Sequence, residues 1–313
     1  MTLTQLEYIV AVNTYRHFAE AAENCHVTQP TLSMQIQKLE EELGIKIFDR
    51  SKQPVIPTLA GEEVIEQARK ILLERDTLTE MILSRKDIVK GELRIGVIPT
   101  LAPYLIPLFI PAFVKKYSQV RLHIIDLTTE NIIKRLREGQ IDMGLLVTPL
   151  NEKGIKEEAL FYEEMLVYTS EQNSLLEKQY ILPQDIDPNK LLLLEEGHCL
   201  RSQIINLCDL RRHSRFGAHF EYEAGSLQTL CRMVNTNDGL TILPELAALN
   251  LPDKDKERLR HFKAPAPVRE VGIVTHRNFV KRKLVNAVEH SIMENIPEKL
   301  KKNNKKNIVP IYE

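Results

Sequence analysis

Apolar positions near the start of the chain recur at helical spacing and predict a series of short helices. Residues 2–14 carry apolar side chains three or four positions apart, and "HFAEAAENC" predicts a second, alanine-rich helix. The stretch "HVTQP" predicts a tight turn before a third helix. Thr28 suits the N-cap of that helix, Pro30 suits its first turn, and Gly44 suits the position after its last turn.

After Gly91 the pattern becomes alternating. The segments "ELRIGVI", "VRLHIIDL" and "IDMGLLV" predict strands, separated by the predicted helices "LIPLFIPAFVKKY" and "ENIIKRLREG". This alternation predicts a parallel sheet with helices on its faces. A second α/β unit is predicted from "LLLLEEG" to "GLTILPELAAL". The strand "REVGIVTH" and a helix from about Phe279 to Asn295 then return the chain to the first lobe, which predicts two lobes around a cleft.

A long helical pattern without proline joins these two regions, from Thr58 to about Asp87. Its apolar positions form a seam that is interrupted by Arg75, and such a seam calls for a partner helix. The alternative is a helix that packs on its own domain. The seam residues are Val64, Ala68, Ile71, Leu78 and Ile82.

Composition sets limits on class and location. A chain of 313 residues with 43% hydrophobic content can form two or three globular domains. We expect it to stay in the cytoplasm, without membrane contact, because its first residues lack a signal-peptide pattern and no apolar run reaches about 18 residues. Four cysteines do not make a secreted disulfide scaffold, so any disulfide would be a signal or a catalytic step.

A short helix, a tight turn and a helix whose outer face begins Gln29, Thr31 and Ser33 are typical of a helix-turn-helix that contacts DNA bases. On spacing alone, a small helical bundle with a solvated polar face is the alternative. Charge does not decide between them: residues 1–90 contain six Lys and five Arg against three Asp and eleven Glu, a net charge of −3. Basic residues nevertheless flank the third helix, and "KIFDRSKQPVIPT" predicts a β-wing that contacts phosphates. These basic residues are Lys38, Lys46, Arg50 and Lys52.

The stretch "EEGHCLRSQIINLC" places Cys199 at the start of a predicted helix and Cys208 on its apolar stripe. Such a helix separates the two residues by roughly 13.5 Å, whereas a disulfide needs Cα atoms within about 7 Å. A disulfide between them would therefore require the helix to unwind. The helix start, Arg201 and His198 would favour the thiolate of Cys199.

Thr100 and Thr129 follow the first two predicted strands, at the carboxyl ends where ligands bind in open α/β sheets. A cysteine thiolate is the form that attacks peroxide. If Cys199 reacts in this way, the hydroxyls of Thr100 and Thr129 could hold the second oxygen of the peroxide. The alternative is that the cysteines are inert core residues. Paired C-x₂-C or histidine spacings are missing, so we predict no metal site and no cofactor.

The N-terminal segments "LEYIVAV", "RHFAEAAENCHVTQPTLSMQIQKLEEELGIKIFDR" and "TLAGE" resemble the winged helix-turn-helix of the LysR-type transcriptional regulators. This resemblance implies double-stranded DNA and RNA polymerase as partners, a two-lobed periplasmic-binding-protein-like domain, and a linker helix that pairs two chains in a homodimer or homotetramer. The residues expected at the DNA are Gln29, Pro30, Thr31, Ser33, Lys38, Arg50 and Lys52.

The segments "GHCLRSQIINLC", "RIGVIPTLAPYLIP" and "GLTILP" resemble the peroxide-sensing branch of that family. The resemblance implies that Cys199 reacts with hydrogen peroxide and that Cys208 resolves the product as a disulfide. It also implies a pocket formed by Thr100, Thr129, His198 and Arg201. Three features depart from relatives. Ser202 stands where an acidic residue is common, and Cys231 is an extra thiol. Met34 and Gln37, on the DNA-reading helix, stand at positions where relatives often carry other residues.

We therefore expect an α/β protein with a winged helix-turn-helix at residues 1–58, a linker helix at 59–90, a two-lobed redox-sensing domain at 91–298 and a disordered lysine-rich tail at 299–313. The alternative function is a LysR-type regulator that responds to a small organic effector, with structural cysteines. An enzyme is not expected, because the G-x-S-x-G, H-E-x-x-H and G-x-x-x-x-G-K-[ST] motifs are missing.

Overall fold

The computed structural model describes residues 1–84, 89–209, 224–236, 238–277, 279–302 and 307–311. The chain forms two compact units. One comprises residues 1–88 with 278–282, and the other comprises residues 89–277 with 283–313. Among the helices of the described residues, none combines the length and the apolar character needed to cross a membrane.

The N-terminal unit contains the predicted helices and wing. Its third helix is preceded by Thr28 in an extended conformation, has proline in its first turn, and ends before Gly44, whose φ of 70° lies in the left-handed region. The two short strands pair antiparallel. The elements are α1 (Leu3–Tyr15), α2 (Phe18–Asn24), α3 (Gln29–Leu43), β1 (Phe48–Asp49), β2 (Ile56–Pro57) and α4 (Leu59–Ser84).

Helix α4 has two kinds of surface. Near its start, Ala68 is buried and Val64 packs against the core of its own unit. Further along, Ile71, Leu78 and Ile82 expose 40%, 55% and 54% of their surface. The prediction of one continuous seam for a partner helix is therefore wrong for the first turns, because the apolar residues there complete the core of the N-terminal unit. The exposed positions beyond Ile71 retain the pattern expected of a helix that pairs.

The second unit begins with the alternation predicted from the sequence. Its elements up to the first long strand are β3 (Gly91–Val97), α5 (Ala102–Lys116), β4 (Val120–Asp126), α6 (Thr129–Glu138), β5 (Met143–Thr148) and β6 (Ile155–Thr169). After β6 come two 3₁₀ turns (Ser174–Glu177 and Pro183–Asp185), α7 (Cys199–Leu207), α8 (Leu227–Thr236), β7 (Leu240–Pro244), α9 (Glu245–Leu249), α10 (Asp253–Lys256), β8 (Leu259–His261), β9 (Val268–His276), α11 (Arg282–Asn295) and α12 (Glu298–Lys302).

The strands of this unit follow the order β4-β3-β5-β9-β6-β7, with β8 also paired to β6. Strand β3 is parallel to β4 and β5, as predicted, whereas β9 is antiparallel to both β5 and β6. The long strand β6 pairs with β9 over its first part and with β7 and β8 over its last. Strands β6 and β9 are thus the two crossings that join the lobes.

Two expectations for this unit need correction. The apolar run "LLLLEEG" forms no named strand but only isolated bridges, at Leu191 and Leu194, and residues 210–223 of the predicted second α/β unit lie outside the described residues. The tail was expected to be disordered. Instead, residues 298–302 form α12, and Val309 and Ile311 are buried to 5% exposure each. Within the described part of this stretch, the buried apolar side chains are those of Leu300, Val309 and Ile311.

Candidate functional site

Cys199 lies at a junction between the two lobes of the second unit. Gly197, with a φ of 90°, makes the turn that leads into α7, and His198 caps the helix with an extended backbone. Cys199 is the first residue of α7 and is 9% exposed. Its Sγ lies 2.8 Å from the hydroxyl oxygen of Thr129, the first residue of α6. A thiol of one lobe thus contacts a hydroxyl of the other.

A buried arginine connects the crossing strands to this site. Arg269 on β9 and Glu163 on β6 are both fully buried, and Nε of Arg269 donates to the carboxylate of Glu163 at 2.7 Å. The same guanidinium donates to the hydroxyl of Thr100 at 3.2 Å and to its backbone oxygen at 3.3 Å. Glu163 also accepts from the backbone N–H of Leu246 at 2.9 Å. Every group of this cluster is fixed by at least one partner.

The groups around Cys199 shift the pKa of its thiol in opposite directions. Burial raises the pKa of the Cys199 thiol, while the Thr129 hydroxyl, the Arg269 charge and the backbone amide of Cys199 lower it. Burial is the largest of these effects, so the net pKa lies above the ordinary value. The expectation that the helix start with Arg201 and His198 would favour a thiolate is therefore wrong in its net direction.

Arg201 and His198 have other contacts. The guanidinium of Arg201 donates to the backbone oxygen of Leu194 at 2.7 Å, which fixes the turn before α7. The His198 side chain is buried, and its Nε2 lies 3.7 Å from a carboxylate oxygen of Glu195. Arg269, which was not among the residues predicted for the site, supplies a positive charge that lowers the pKa of the Cys199 thiol.

Cys208 follows the last residue of α7 and is half-buried. Burial raises the pKa of its thiol to about 12, so it has little thiolate character in this conformation. Helix α7 is nine residues long, which keeps the two thiols roughly 13.5 Å apart along the axis. All four cysteines, the others being Cys25 and Cys231, are free thiols.

The first turns of α3 form the surface expected to contact DNA. Gln29, Pro30 and Thr31 are exposed, and Ser33 is half-buried and accepts from Arg50 at 3.0 Å. Lys38 and Lys52 are also exposed. The polar residues therefore share one end of α3, with the wing and Arg50 beside it.

A buried carboxylate holds the wing against α3. Glu40 is 2% exposed and accepts from the backbone N–H groups of Ile47 and Phe48 at 2.8 and 3.3 Å. Lys46 and Arg50 lie 3.4 and 3.6 Å from its other oxygen. In the charge count of residues 1–90, Glu40 is one of eleven glutamates, but its charge is compensated inside the protein.

Sequence reasoning missed Glu163, Arg269 and Glu40 for one reason. Each is a charged side chain with another charged residue beside it in the sequence, and a single strand or helix pattern does not reveal which opposite charge it meets. Arg269 lies in the predicted strand "REVGIVTH", but the segment that carries Glu163 was not predicted as a strand. Pairing them required the register of β6 and β9, in which Glu163 lies opposite Arg269.

Two family comparisons match most of the chain. Residues 3–62 match "Bacterial regulatory helix-turn-helix protein, lysR family", and residues 86–295 match "LysR substrate binding domain". The "Hydrogen peroxide-inducible genes activator" of Haemophilus influenzae is 34% identical over 274 residues, which cover 88% of this chain and 90% of that protein.

Two solved structures are also similar. A full-length cysteine-to-aspartate variant of OxyR from Pseudomonas aeruginosa has a TM-score of 0.78 and 34% identity, and the match covers 95% of this chain and 99% of that one. A hydrogen-peroxide-bound mutant of OxyR from Corynebacterium glutamicum has a TM-score of 0.62 and 27% identity, covering 94% and 92%. The chain belongs to the LysR family of bacterial transcriptional regulators and, within it, to the OxyR group.

Proposed function

We propose that this protein is a DNA-binding transcriptional regulator that senses hydrogen peroxide through Cys199 and Cys208. The observation that carries the proposal is the setting of Cys199, a buried thiol 2.8 Å from the hydroxyl of Thr129 and within the field of Arg269. The relative named for hydrogen-peroxide-inducible genes and the OxyR structure with bound hydrogen peroxide support it.

The first step is oxidation of Cys199. Its thiolate attacks one oxygen of hydrogen peroxide, an S–O bond forms and the O–O bond breaks, which gives a sulfenic acid and hydroxide. The hydroxyl of Thr100 would donate to a peroxide oxygen, while the hydroxyl of Thr129, which donates its one proton to the thiolate, would accept from a peroxide O–H. Hydroxide is the leaving group, and a donor directed at it lowers the barrier. Arg269 already fixes the Thr100 hydroxyl at 3.2 Å, so this group would need no reorganisation.

His198 and Arg201 would have supporting roles in this pocket. His198 is adjacent to Cys199 and its buried side chain would line the pocket, and Arg201 would keep the turn at Leu194 in place. Their contribution would therefore be to position α7 rather than to supply charge to the thiol.

The second step joins the two cysteines. The Cys208 thiol attacks the sulfenic sulfur of Cys199, a disulfide forms and water leaves. Because α7 keeps the residues apart, the helix has to unwind and Cys208 has to leave its packing before this step. Oxidation would thus be converted into a change of conformation in the second unit, which is the signal.

The N-terminal unit would carry that signal to DNA. Gln29, Pro30, Thr31 and Ser33 would contact bases, while Lys38, Arg50 and Lys52 would contact phosphates. We propose that the exposed apolar positions of α4 pair chains into a homodimer or homotetramer, and that the regulator acts in the cytoplasm with RNA polymerase as a partner. The protein would not turn over substrate, since each oxidation leaves it in the disulfide state.

The redox step is tested by mass spectrometry of the reduced full-length protein after stoichiometric hydrogen peroxide. A loss of two hydrogens, mapped to one peptide pair containing Cys199 and Cys208, is expected. The variant Cys199→Ser separates the alternative function, because a regulator that responds to a small organic effector would keep its response without this thiol. Oxidation of Cys25 as fast as Cys199 would refute the sensor assignment, and many peroxide turnovers per chain with an external reductant would indicate an enzyme instead.

The DNA contacts are tested by the salt dependence of binding. Each lost phosphate contact lowers the slope of log K against log[salt] by about 0.9. Lys38→Ala and Lys52→Ala should therefore reduce the slope, whereas Gln29→Ala should change sequence preference with the slope unchanged. Identical slopes for all three variants would exclude the two lysines from the interface.

A further inference from the structure

The end of the chain lies on the helix between the two cysteines. We call residues 307–311 the tail segment. The side-chain amide of Gln203 donates to the backbone oxygen of Val309 at 2.8 Å, and that of Asn206 donates to the oxygens of Pro310 and Ile311 at 3.0 and 3.4 Å. Gln203 is fully buried, and its amide oxygen has no partner among the described residues. Within the described part of the chain, the contact with Val309 is thus what compensates the burial of its amide.

The tail segment is held on its other side by strand β9. The backbone N–H of Val268 donates to the backbone oxygen of Asn307 at 3.0 Å, and the backbone N–H of Val309 donates to the backbone oxygen of Val268 at 2.9 Å. The side chain of Asn307 donates to the backbone oxygen of Pro265 at 2.9 Å. Val268 is the residue before Arg269, so the tail segment is fixed to the same strand that carries the guanidinium of the site. The tail segment is thus linked by a few hydrogen bonds both to β9, which carries Arg269 of the site, and to α7.

Val309 and Ile311 make this placement specific. Both are 5% exposed although they lie within five residues of the chain end. The terminal residues of a domain are usually poorly ordered unless they are tied down, and burial of apolar side chains is what ties them.

We propose that the tail segment is a clasp that stabilises α7 in its helical, reduced form and so sets the redox equilibrium of Cys199 and Cys208. The proposal rests on the proposed function of these two cysteines. Gln203 and Asn206 lie between them, so unwinding α7 turns both amides away from their acceptors. The clasp therefore stabilises the dithiol state and not the disulfide state, and its loss shifts the equilibrium toward the disulfide.

The size of the effect follows from the contacts. Three hydrogen bonds from α7 to the tail segment are lost with the tail, and each contributes a modest net stabilisation. We expect a shift of about ten-fold or more in the equilibrium constant with glutathione, which corresponds to about 30 mV for a two-electron couple. The rate of sulfenic acid formation should not change, because the tail segment makes no described contact with Cys199 or Thr129.

The experiment uses the full-length protein and three variants: a truncation that ends at residue 306, Asn206→Asp, and the control Ser202→Ala. Asn206→Asp places a carboxylate against two carbonyl oxygens and opens the clasp without removing the tail. Ser202 lies on the same helix but has no described contact with the tail. The fraction of disulfide is measured by thiol-trapping mass spectrometry across glutathione buffers, and helix content is compared by circular dichroism.

The proposal expects both clasp variants to shift toward the disulfide and Ser202→Ala to match the parent. The rate of sulfenic acid formation is measured separately, in a Cys208→Ser background, and should be equal with and without the tail. If the disulfide forms in every protein with one equilibrium constant, the clasp is refuted while the sensor assignment stands. If Cys199 of the parent protein stays a thiol in peroxide, the sensor assignment falls, and the clasp with it. If the truncated chain does not fold, Asn206→Asp decides alone.

Discussion

Removal of one hydroxyl from the site tests how Cys199 becomes reactive. The hydroxyl oxygen of Thr129 lies 2.8 Å from Sγ of Cys199, and Thr129 is 2% exposed, so solvent does not readily replace this contact. The substitution Thr129→Val keeps the branched shape and removes the hydrogen bond. Thr129→Ser keeps the hydroxyl and loses only a methyl group, which makes it the matched control.

The magnitude follows from the charge of the thiolate. A hydrogen bond to a charged group contributes about 1.5–3 kcal/mol, and one pKa unit corresponds to about 1.36 kcal/mol. Thr129→Val should therefore raise the pKa of Cys199 further above its ordinary value. The thiolate that remains is more nucleophilic, with a Brønsted slope of about 0.4–0.5. The higher nucleophilicity offsets only part of the loss of thiolate. The rate of sulfenic acid formation at neutral pH should therefore fall by about 4- to 15-fold.

The assay is the rate of sulfenic acid formation in a Cys208→Ser background, measured against pH. Because burial holds the pKa of Cys199 above its ordinary value, the thiolate fraction and the rate should rise with pH throughout the neutral range, without a plateau. Thr129→Val should displace this profile to higher pH and Thr129→Ser should not. A plateau below pH 8, or a Thr129→Val profile that coincides with that of the parent, would refute the reasoning.

Three further predictions concern stability and assembly. Glu163→Gln leaves the fully buried Arg269 without its counter-charge and should lower the free energy of unfolding in urea by about 3–5 kcal/mol. The control Glu152→Gln, at an exposed pair with Arg137, should lower it by at most about 1 kcal/mol. Equal effects of the two substitutions would contradict the role of burial. Glu40→Ala removes the acceptor of two wing N–H groups and should destabilise the N-terminal unit by about 1–3 kcal/mol in thermal unfolding, with the exposed Glu41→Ala as control. Leu78→Glu should weaken self-association in sedimentation, because Leu78 is 55% exposed on α4; Thr79→Glu, on another face, should not, and oligomers that survive Leu78→Glu would exclude this face as the interface.

Local patterns predicted the elements well where one face of an element meets one core. The boundaries of α3 followed from Thr28, Pro30 and Gly44, and the first three strands of the second unit followed from alternating apolar positions. The start of α7 at Cys199 was also predicted, because Gly197 and the apolar stripe bracket it. In each case the information lies within a few residues of the feature itself.

Features that depend on distant partners were not predicted. Arg269 meets Glu163 across 106 positions of sequence, and Gln203 meets Val309 across the same separation. A lysine-rich end with few apolar residues suggested disorder by composition, but two buried side chains were sufficient to fix the tail segment. Composition is an average over a whole segment, whereas the packing of a segment depends on whether single residues in it contact a complementary surface of the protein.

The site combines two properties that a sensor needs and that oppose each other. A buried thiol with a raised pKa is slow to react with other oxidants and thiols, which protects the dithiol state. The Thr129 hydroxyl and the Arg269 charge both lower the pKa of this thiol, so both stabilise the thiolate of the sulfur proposed to react. On the proposed function, helix α7 would separate chemistry from signal: Cys199 would react in the folded helix, while Cys208, with its pKa near 12, would become available only when that helix opens. The first step would then depend on the pocket and the second on the stability of α7, and changes in the tail segment should alter the second without the first.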